Sequence, residues 1–184
     1  KAAQRQHAKQ KLTARERLSL FFDEGVWHEV GQFIGGSVRD GRIGSAVAAG
    51  YGRVQGRMVA AYAQDFSVLG GTLGKVEGDK IVDLIDRGIR MRIPIVGIQD
   101  SGGARIQEGV VALAQYGRIF KKTCEASGLV PQISIILGPC AGGAVYQPAL
   151  TDFIIMTREN SHMFVTGPDV VAATTGEKVT LEQL

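Results

Sequence analysis

The sequence predicts an α/β fold built as a spiral of strand, loop and helix units, and three observations carry that expectation. Apolar strands, glycine-rich loops and helical stretches recur through most of the chain, at a period of about 35 to 39 residues. The strands "PIVGIQ" and "ISIILG" are apolar without alternation, which fits a sheet covered on both faces. Glycine is unusually frequent, 25 of 184 residues, so backbone geometry is under heavy demand. Strands alternating with helices at this spacing imply parallel crossover units, and a spiral of them reconciles the repeat with one core.

Taken in order, the first segment, "KAAQRQHAKQKLTARER", carries Lys1, Arg5, Lys9, Lys11, Arg15 and Arg17 against Glu16 alone. It reads either as a solvated helix face or as an anchor for an anionic partner such as a nucleotide phosphate. From Ala14 to Phe22 the pattern is helical, with Leu18, Phe21 and Phe22 on one side, and "DEG" ends it. A less regular region with Trp27 leads to the glycine-rich connection "SVRDGRIG". Next, "SAVAAGYGRV" and "RMVAAYAQD" predict two strands joined through Gln55 and Gly56 as a hairpin. The repeating units follow. One has the loop "FSVLGGTLG" and a helix over Lys75–Met91; the next has "PIVGIQD", "SGGAR" and a helix over Glu108–Ser127; the third has "QISIILG", "PCAGG" and a helix from Ala144. A strand "DFIIMT" and a short "HMFV" run complete the pattern. Thr180, with Gln183 three positions on, reads as the N-cap of a further helix, so residues 1–184 are expected to be one domain of a longer protein.

In sheets of this kind ligands bind beyond the carboxyl ends of the strands, where all three glycine loops lie. A glycine-rich loop entering a helix leaves backbone N–H groups without intrahelical partners, and small residues let an oxygen approach them. The candidates are Gly102, Gly103 and Ala104 at one junction, and Ala141, Gly142 and Gly143 at the next. The anion held is a phosphate or a developing oxyanion. Neither GxGxxG nor a Walker motif stands there, which takes weight from nucleotide binding. Ser101 is not in a GxSxG setting, and His7, His28 and His162 have no evident pairing with Ser101 or Cys140. Asp100 reads as a cap of its junction, and Arg105 and Glu108 as supports of the loop. The two cysteines, Cys124 and Cys140, lack metal-site spacing, so no metal is expected, and two cysteines with no signal peptide in view point to a reducing compartment in which no disulfide is expected. No long apolar span appears, and the basic run has no interleaved aromatics, so neither membrane nor nucleic acid is an expected partner. Backbone donors without a side-chain acid, base or nucleophile suit an enolate formed from a thioester, with the base supplied by a second substrate.

The segments "QDFSVLGGTLG", "DSGGARIQEG", "QISIILGPCAGGAVYQPALTDFIIM" and "SHMFVTGPDVV" resemble the amino-terminal domain of the carboxyltransferase (β) subunits of biotin-dependent acyl-CoA carboxylases, closest to the propionyl-CoA type. The resemblance covers nearly the whole chain. It implies a crotonase-like (ClpP/crotonase) spiral of ββα units, with a CoA thioester over the glycine loops. It further implies transfer of a carboxyl group from carboxybiotin, presented on a separate carrier, to the α-carbon of a short-chain acyl-CoA. Carried onto this chain, the amides of Gly102, Gly103, Ala104, Gly142 and Gly143 would form an oxyanion hole, whether for the thioester or for biotin's ureido oxygen. Phe66, Ser67, Gly70, Gly71 and Ala141, with the basic first segment, would contact the cofactor. Implied partners are a carboxyl-terminal carboxyltransferase domain with a second oxyanion hole, a biotin carboxylase and carrier subunit, and further copies of the chain. The implied compartment is the cytoplasm, or the mitochondrial matrix in a eukaryote, and the 184 residues alone are expected to lack activity. A methylmalonyl-CoA decarboxylase or transcarboxylase subunit would share the same motifs. Two other classes stay open: a hydrolase using Ser101 or Cys140, and an assembly module that binds CoA weakly.

Overall fold

A computed structural model describes residues 2–37, 42–180 and 183. The amino-terminal segment forms α1 (Ala2–His7) and α2 (Ala14–Phe21), followed by a helical turn at Asp23–Gly25 and the short strand β1 (Trp27–Glu29). β2 (Gly36–Ser37) and β3 (Arg42–Ile43) pair antiparallel across the glycine-rich connection, whose residues 38–41 lie outside the described ones. β4 (Val47–Val54) and β5 (Arg57–Gln64) form the expected hairpin. Its turn residues Gln55 and Gly56 both have positive φ, 49° and 76°, the backbone that a two-residue hairpin turn requires.

The repeating units then follow as α3 (Lys75–Met91), β6 (Ile95–Ser101), α4 (Val110–Ala126), β7 (Gln132–Ala141), α5 (Gly143–Ala149), β8 (Phe153–Met156), β9 (His162–Phe164) and α6 (Pro168–Thr175). One sheet runs in the order β1-β4-β5-β6-β7-β8, with β9 also paired to β7. Pairing is antiparallel from β1 to β5 and parallel from β5 onward. α3 and α4 cover one face around Tyr62, Ile81, Leu84, Ile119 and Ile136, while α2 covers the other around Leu18, Ala61 and Ile98.

Two expectations need correction. α4 starts at Val110 rather than Glu108, because Ile106–Glu108 forms a separate 3₁₀ turn and Gly109, at φ 54°, breaks the path between them. The sheet is not covered on both faces throughout. β7 alternates buried and half-buried residues, and all four residues of β8 are exposed. α2, at eight residues, packs on β4 and β5, so among the described residues it leaves Ile133, Ile135 and Leu137 on the second face of β7 only partly covered and β8 exposed. At Thr180 the backbone N–H donates to Gln183 Oε1 at 2.9 Å, the reciprocal half of the expected capping box.

Candidate active site

Three loops meet at the carboxyl ends of β5, β6 and β7. The first follows Gln64. Asp65 organises it by accepting the Ser67 N–H at 2.9 Å through one carboxylate oxygen and the Ala14 N–H at 3.3 Å through the other. Leu69, Gly70 and Gly71 then turn with φ of 50°, 65° and 64°. At Gly71 a Cβ would stand 2.1 Å from the Asp100 carbonyl oxygen, so the backbones of the first two loops touch. The Gly102 N–H donates to the Gly70 carbonyl at 3.0 Å, and a parallel bridge joins Leu73 to Ala104 through Leu73 N to Gly103 O and Arg105 N to Leu73 O, both 2.9 Å.

The second and third loops also abut. Gly103 has φ 98°, and a Cβ there would lie 2.7 Å from the Ala141 carbonyl oxygen. Gly142, at φ 57° and ψ −126°, is the N-cap of α5, and its N–H donates to Phe164 on β9 at 3.1 Å. Gly143 opens the helix directly above the Tyr116 ring, where a Cβ would meet that ring at 2.9 Å.

These contacts narrow the expected donor set. The N–H of Gly102 is taken by Gly70, that of Gly103 by Ser101 Oγ at 3.1 Å, and that of Gly142 by Phe164. Buried or crowded amides are satisfied by whatever oxygen the neighbouring turn presents. Among the described residues no acceptor takes the N–H of Ala104 or of Gly143, and the two residues stand on the loops that abut at Gly103 and Ala141.

The side chains nearby are already engaged. Asp100 does not cap its junction: it is fully buried at the end of β6, where Lys11 Nζ approaches its Oδ2 at 2.9 Å and Arg17 Nη2 donates to the same oxygen at 2.7 Å. Arg105 lies 2.8 Å from Glu108 and 3.0 Å from Glu77, and donates to the Thr72 carbonyl at 2.8 Å, which clamps the first loop to the second as expected. Burial, with Asp100 as a smaller cause, pushes the Cys140 thiol up to about 12, and its Sγ donates to the Ala144 carbonyl at 3.1 Å. Ser101 is fully buried and accepts the Gly103 N–H. Among the described residues no histidine is hydrogen-bonded to either: His7 pairs with Glu16 at 2.9 Å, His28 lies against Tyr51, and His162 is registered with Pro139. This arrangement removes the support for a serine or cysteine nucleophile. Among the described residues no group of three His, Cys, Asp or Glu side chains could hold a metal.

The basic first segment divides. Lys11 and Arg17 turn inward to Asp100, so these two are neither a solvated face nor an anion anchor, and Arg15, still 41% exposed, pairs with Glu29 at 2.7 Å. Arg5 and Lys9 stay on the surface and line a cleft of about 430 Å³ with Phe66 and Ser67. Lys11 also sits 5.3 Å from the centre of the Phe66 ring. The cofactor candidates Phe66 and Ser67 and part of the basic segment thus share one cleft, on the loop that continues to Gly70 and Gly71. Sequence reasoning missed Lys11, Arg17 and Glu77 as anchors. Arg17 did carry a signal, because it shares a helix face with Ala14 and Leu18, both core residues.

Comparison with solved structures places the fold in the crotonase-like class of carboxyltransferases. The transcarboxylase 12S structure with methylmalonyl-coenzyme A and methylmalonic acid bound, described as a hexamer assembly, matches at a TM-score of 0.91 and 45% identity, over 98% of this chain and 36% of that one. The β subunit of geranyl-CoA carboxylase from P. aeruginosa matches at 0.86 and 26%, over 100% of this chain and 34% of that one. The family model "Carboxyl transferase domain" matches residues 5–184, and the chain belongs to that family. It is 52% identical to the propionyl-CoA carboxylase beta chain of Saccharopolyspora erythraea, over 100% of this chain and 35% of the relative. It is 53% identical to the methylmalonyl-CoA decarboxylase subunit alpha of Veillonella parvula, over 100% of this chain and 37% of the relative. The chain therefore spans about a third of the length of the relatives it matches.

Proposed function

We propose that this chain is the amino-terminal domain of a carboxyltransferase that acts on a short-chain acyl-CoA, propionyl-CoA first among them. In this reading the N–H groups of Ala104 and Gly143 hold the thioester oxygen as it gains charge on loss of the α-proton. Each such donor is worth about 3 kcal/mol to an oxyanion in a preorganised site. Arg5 and Lys9 beside Phe66 and Ser67 offer positive charge and an aromatic face to the phosphates and base of CoA.

One observation carries the reading. Among the described residues two amides from abutting turns lack acceptors, while every titratable side chain on the three loops is already paired or held protonated. The described residues of these loops thus suit orienting the thioester and stabilising its enolate, and none of them stands free as a base. Carboxybiotin on a carrier protein, the donor that the family resemblance implies, supplies an activated carboxyl group when bound. The implied partners are the carboxyl-terminal carboxyltransferase domain, a biotin carboxylase and carrier subunit, and further copies of the chain. Among the described residues no helix is long and apolar enough to cross a membrane. The compartment that the family resemblance implies is the cytoplasm, or the mitochondrial matrix in a eukaryote.

A crystal of the full-length protein soaked with propionyl-CoA tests this. The thioester oxygen is expected within about 3.2 Å of both amide nitrogens, Ala104 and Gly143. A thioester bound elsewhere, or one held by side chains alone, overturns the proposal. The methylmalonyl-CoA decarboxylase or transcarboxylase reading, favoured by the 53% identity to the Veillonella parvula subunit, predicts the same pose and is separated by the direction of turnover.

A further inference from the structure

Beneath the two loops lie three polar side chains that the proposed chemistry does not use. Tyr62 on β5, Gln99 on β6 and Gln147 on α5 are all buried, at 1%, 2% and 6% exposure. They close a ring of hydrogen bonds. Gln147 Oε1 accepts from the Tyr62 hydroxyl at 2.9 Å and from Gln99 Nε2 at 2.8 Å, while Gln99 Nε2 also donates to the Tyr62 oxygen at 2.8 Å. Three donor hydrogens meet three acceptor lone pairs, so each of these atoms finds its partners within the ring. Burial holds the Tyr62 phenol protonated, as the ring requires.

The position of the ring gives it meaning. Gln99 stands on the strand that feeds Ala104. Gln147 stands one helical turn beyond Gly143, on the same side of α5. The bond between them therefore links the segment that carries one open amide to the helix that carries the other. α5 has only seven residues and begins at a glycine cap, so its own backbone constrains its rotation weakly. The Tyr116 ring against Gly143 limits movement from one side only. The void beside the ring is about 10 Å³, too small for a substrate, so these groups belong to the interior rather than to a ligand pocket. An apolar side chain at any of the three positions would strand a buried donor or acceptor.

We propose that Gln147, through Gln99 and Tyr62, is a positioning residue that sets the separation of the Ala104 and Gly143 amides. The proposal deepens the function proposed above and rests on it. Misplacing one oxyanion donor by a few tenths of an ångström to 1 Å costs about tenfold to a hundredfold in turnover.

The test compares Gln147→Met and Gln147→Glu in the full-length protein. Methionine keeps the length and volume of the side chain but removes the acceptor. Glutamate keeps an acceptor oxygen, and burial favours its neutral form. Crystal structures read the spacing between the Ala104 and Gly143 nitrogens, and kinetics separate kcat from KM for propionyl-CoA. The expected result for Gln147→Met is a spacing changed by about 0.5 Å and kcat lowered about tenfold or more, with KM within about twofold. Gln147→Glu is expected to restore both. Unchanged spacing in Gln147→Met overturns the positioning role and leaves the proposed function standing. Changed spacing with wild-type kcat overturns the amide-pair reading itself.

Discussion

Replacing Asp100 with asparagine removes the single anion that two inward-facing cations share. Asp100 is fully buried, Lys11 and Arg17 side chains are 17% and 6% exposed, and both contacts to Asp100 Oδ2 are under 3.0 Å. Asparagine keeps the shape, so the loss is electrostatic. Lys11 and Arg17 would face each other without a counter-charge, a change that costs about 3–5 kcal/mol where one partner of a buried pair is removed. That is about two to four orders of magnitude in the folding equilibrium. Removing Arg17 instead leaves a balanced Lys11–Asp100 pair. It also deletes Arg17 Nη1, a buried donor with no acceptor among the described residues. Arg17→Met should therefore cost less, about 1.5–3 kcal/mol, the value of one hydrogen bond to a charged group. Urea denaturation of the 184-residue chain measures both, and for a slope of about 2 kcal/mol per molar the Asp100→Asn midpoint should fall by roughly 1.5–2.5 M. Equal midpoints for the two variants, or a lower one for Arg17→Met, would refute the charge count on which the reasoning depends.

Two further predictions concern neighbouring glycines and the two thiols. Gly70 and Gly71 both have φ near 65°, yet nothing lies within 4 Å of a Cβ at Gly70, while one at Gly71 meets the Asp100 carbonyl oxygen at 2.1 Å. Gly70→Ala should lose only about 1–2 kcal/mol for the left-handed backbone, and Gly71→Ala clearly more; equal losses in a thermal melt would show that the loops separate easily. Iodoacetamide at pH 8 should label the exposed Cys124 and leave Cys140, buried and raised to about 12, untouched until the chain is unfolded. Comparable native labelling of both would sink the description of the third loop.

Much of the fold is legible in the sequence because local rules act without competition there. The Gln55-Gly56 turn between two strand patterns predicts a hairpin, and α3 runs over Lys75–Met91 as its 3.6-residue pattern predicts. Where tertiary contacts decide, the residues alone say less. Asp100 before two glycines looks like a cap, but its partners are 83 and 89 residues earlier in the chain. The three amides of Gly102, Gly103 and Gly142 look equivalent to those of Ala104 and Gly143 until Gly70, Ser101 and Phe164 supply acceptors. The strand "ISIILG" reads as doubly covered because periodicity reports apolarity, while the layer over its second face is a matter of how far α2 reaches.

The open groups at Ala104 and Gly143 are peptide N–H bonds, and every amino acid except proline has one. A conventional alanine scan of this face would record a clash with the Tyr116 ring at Gly143 and nothing at all at Ala104, and so would pass over the role proposed for the two amides. Interrogating it calls for a change to the main chain itself, such as an ester in place of either peptide bond. The side chains around the two groups reach them only indirectly, by fixing where the backbone runs, as the tight approaches at Gly71, Gly103 and Gly143 do.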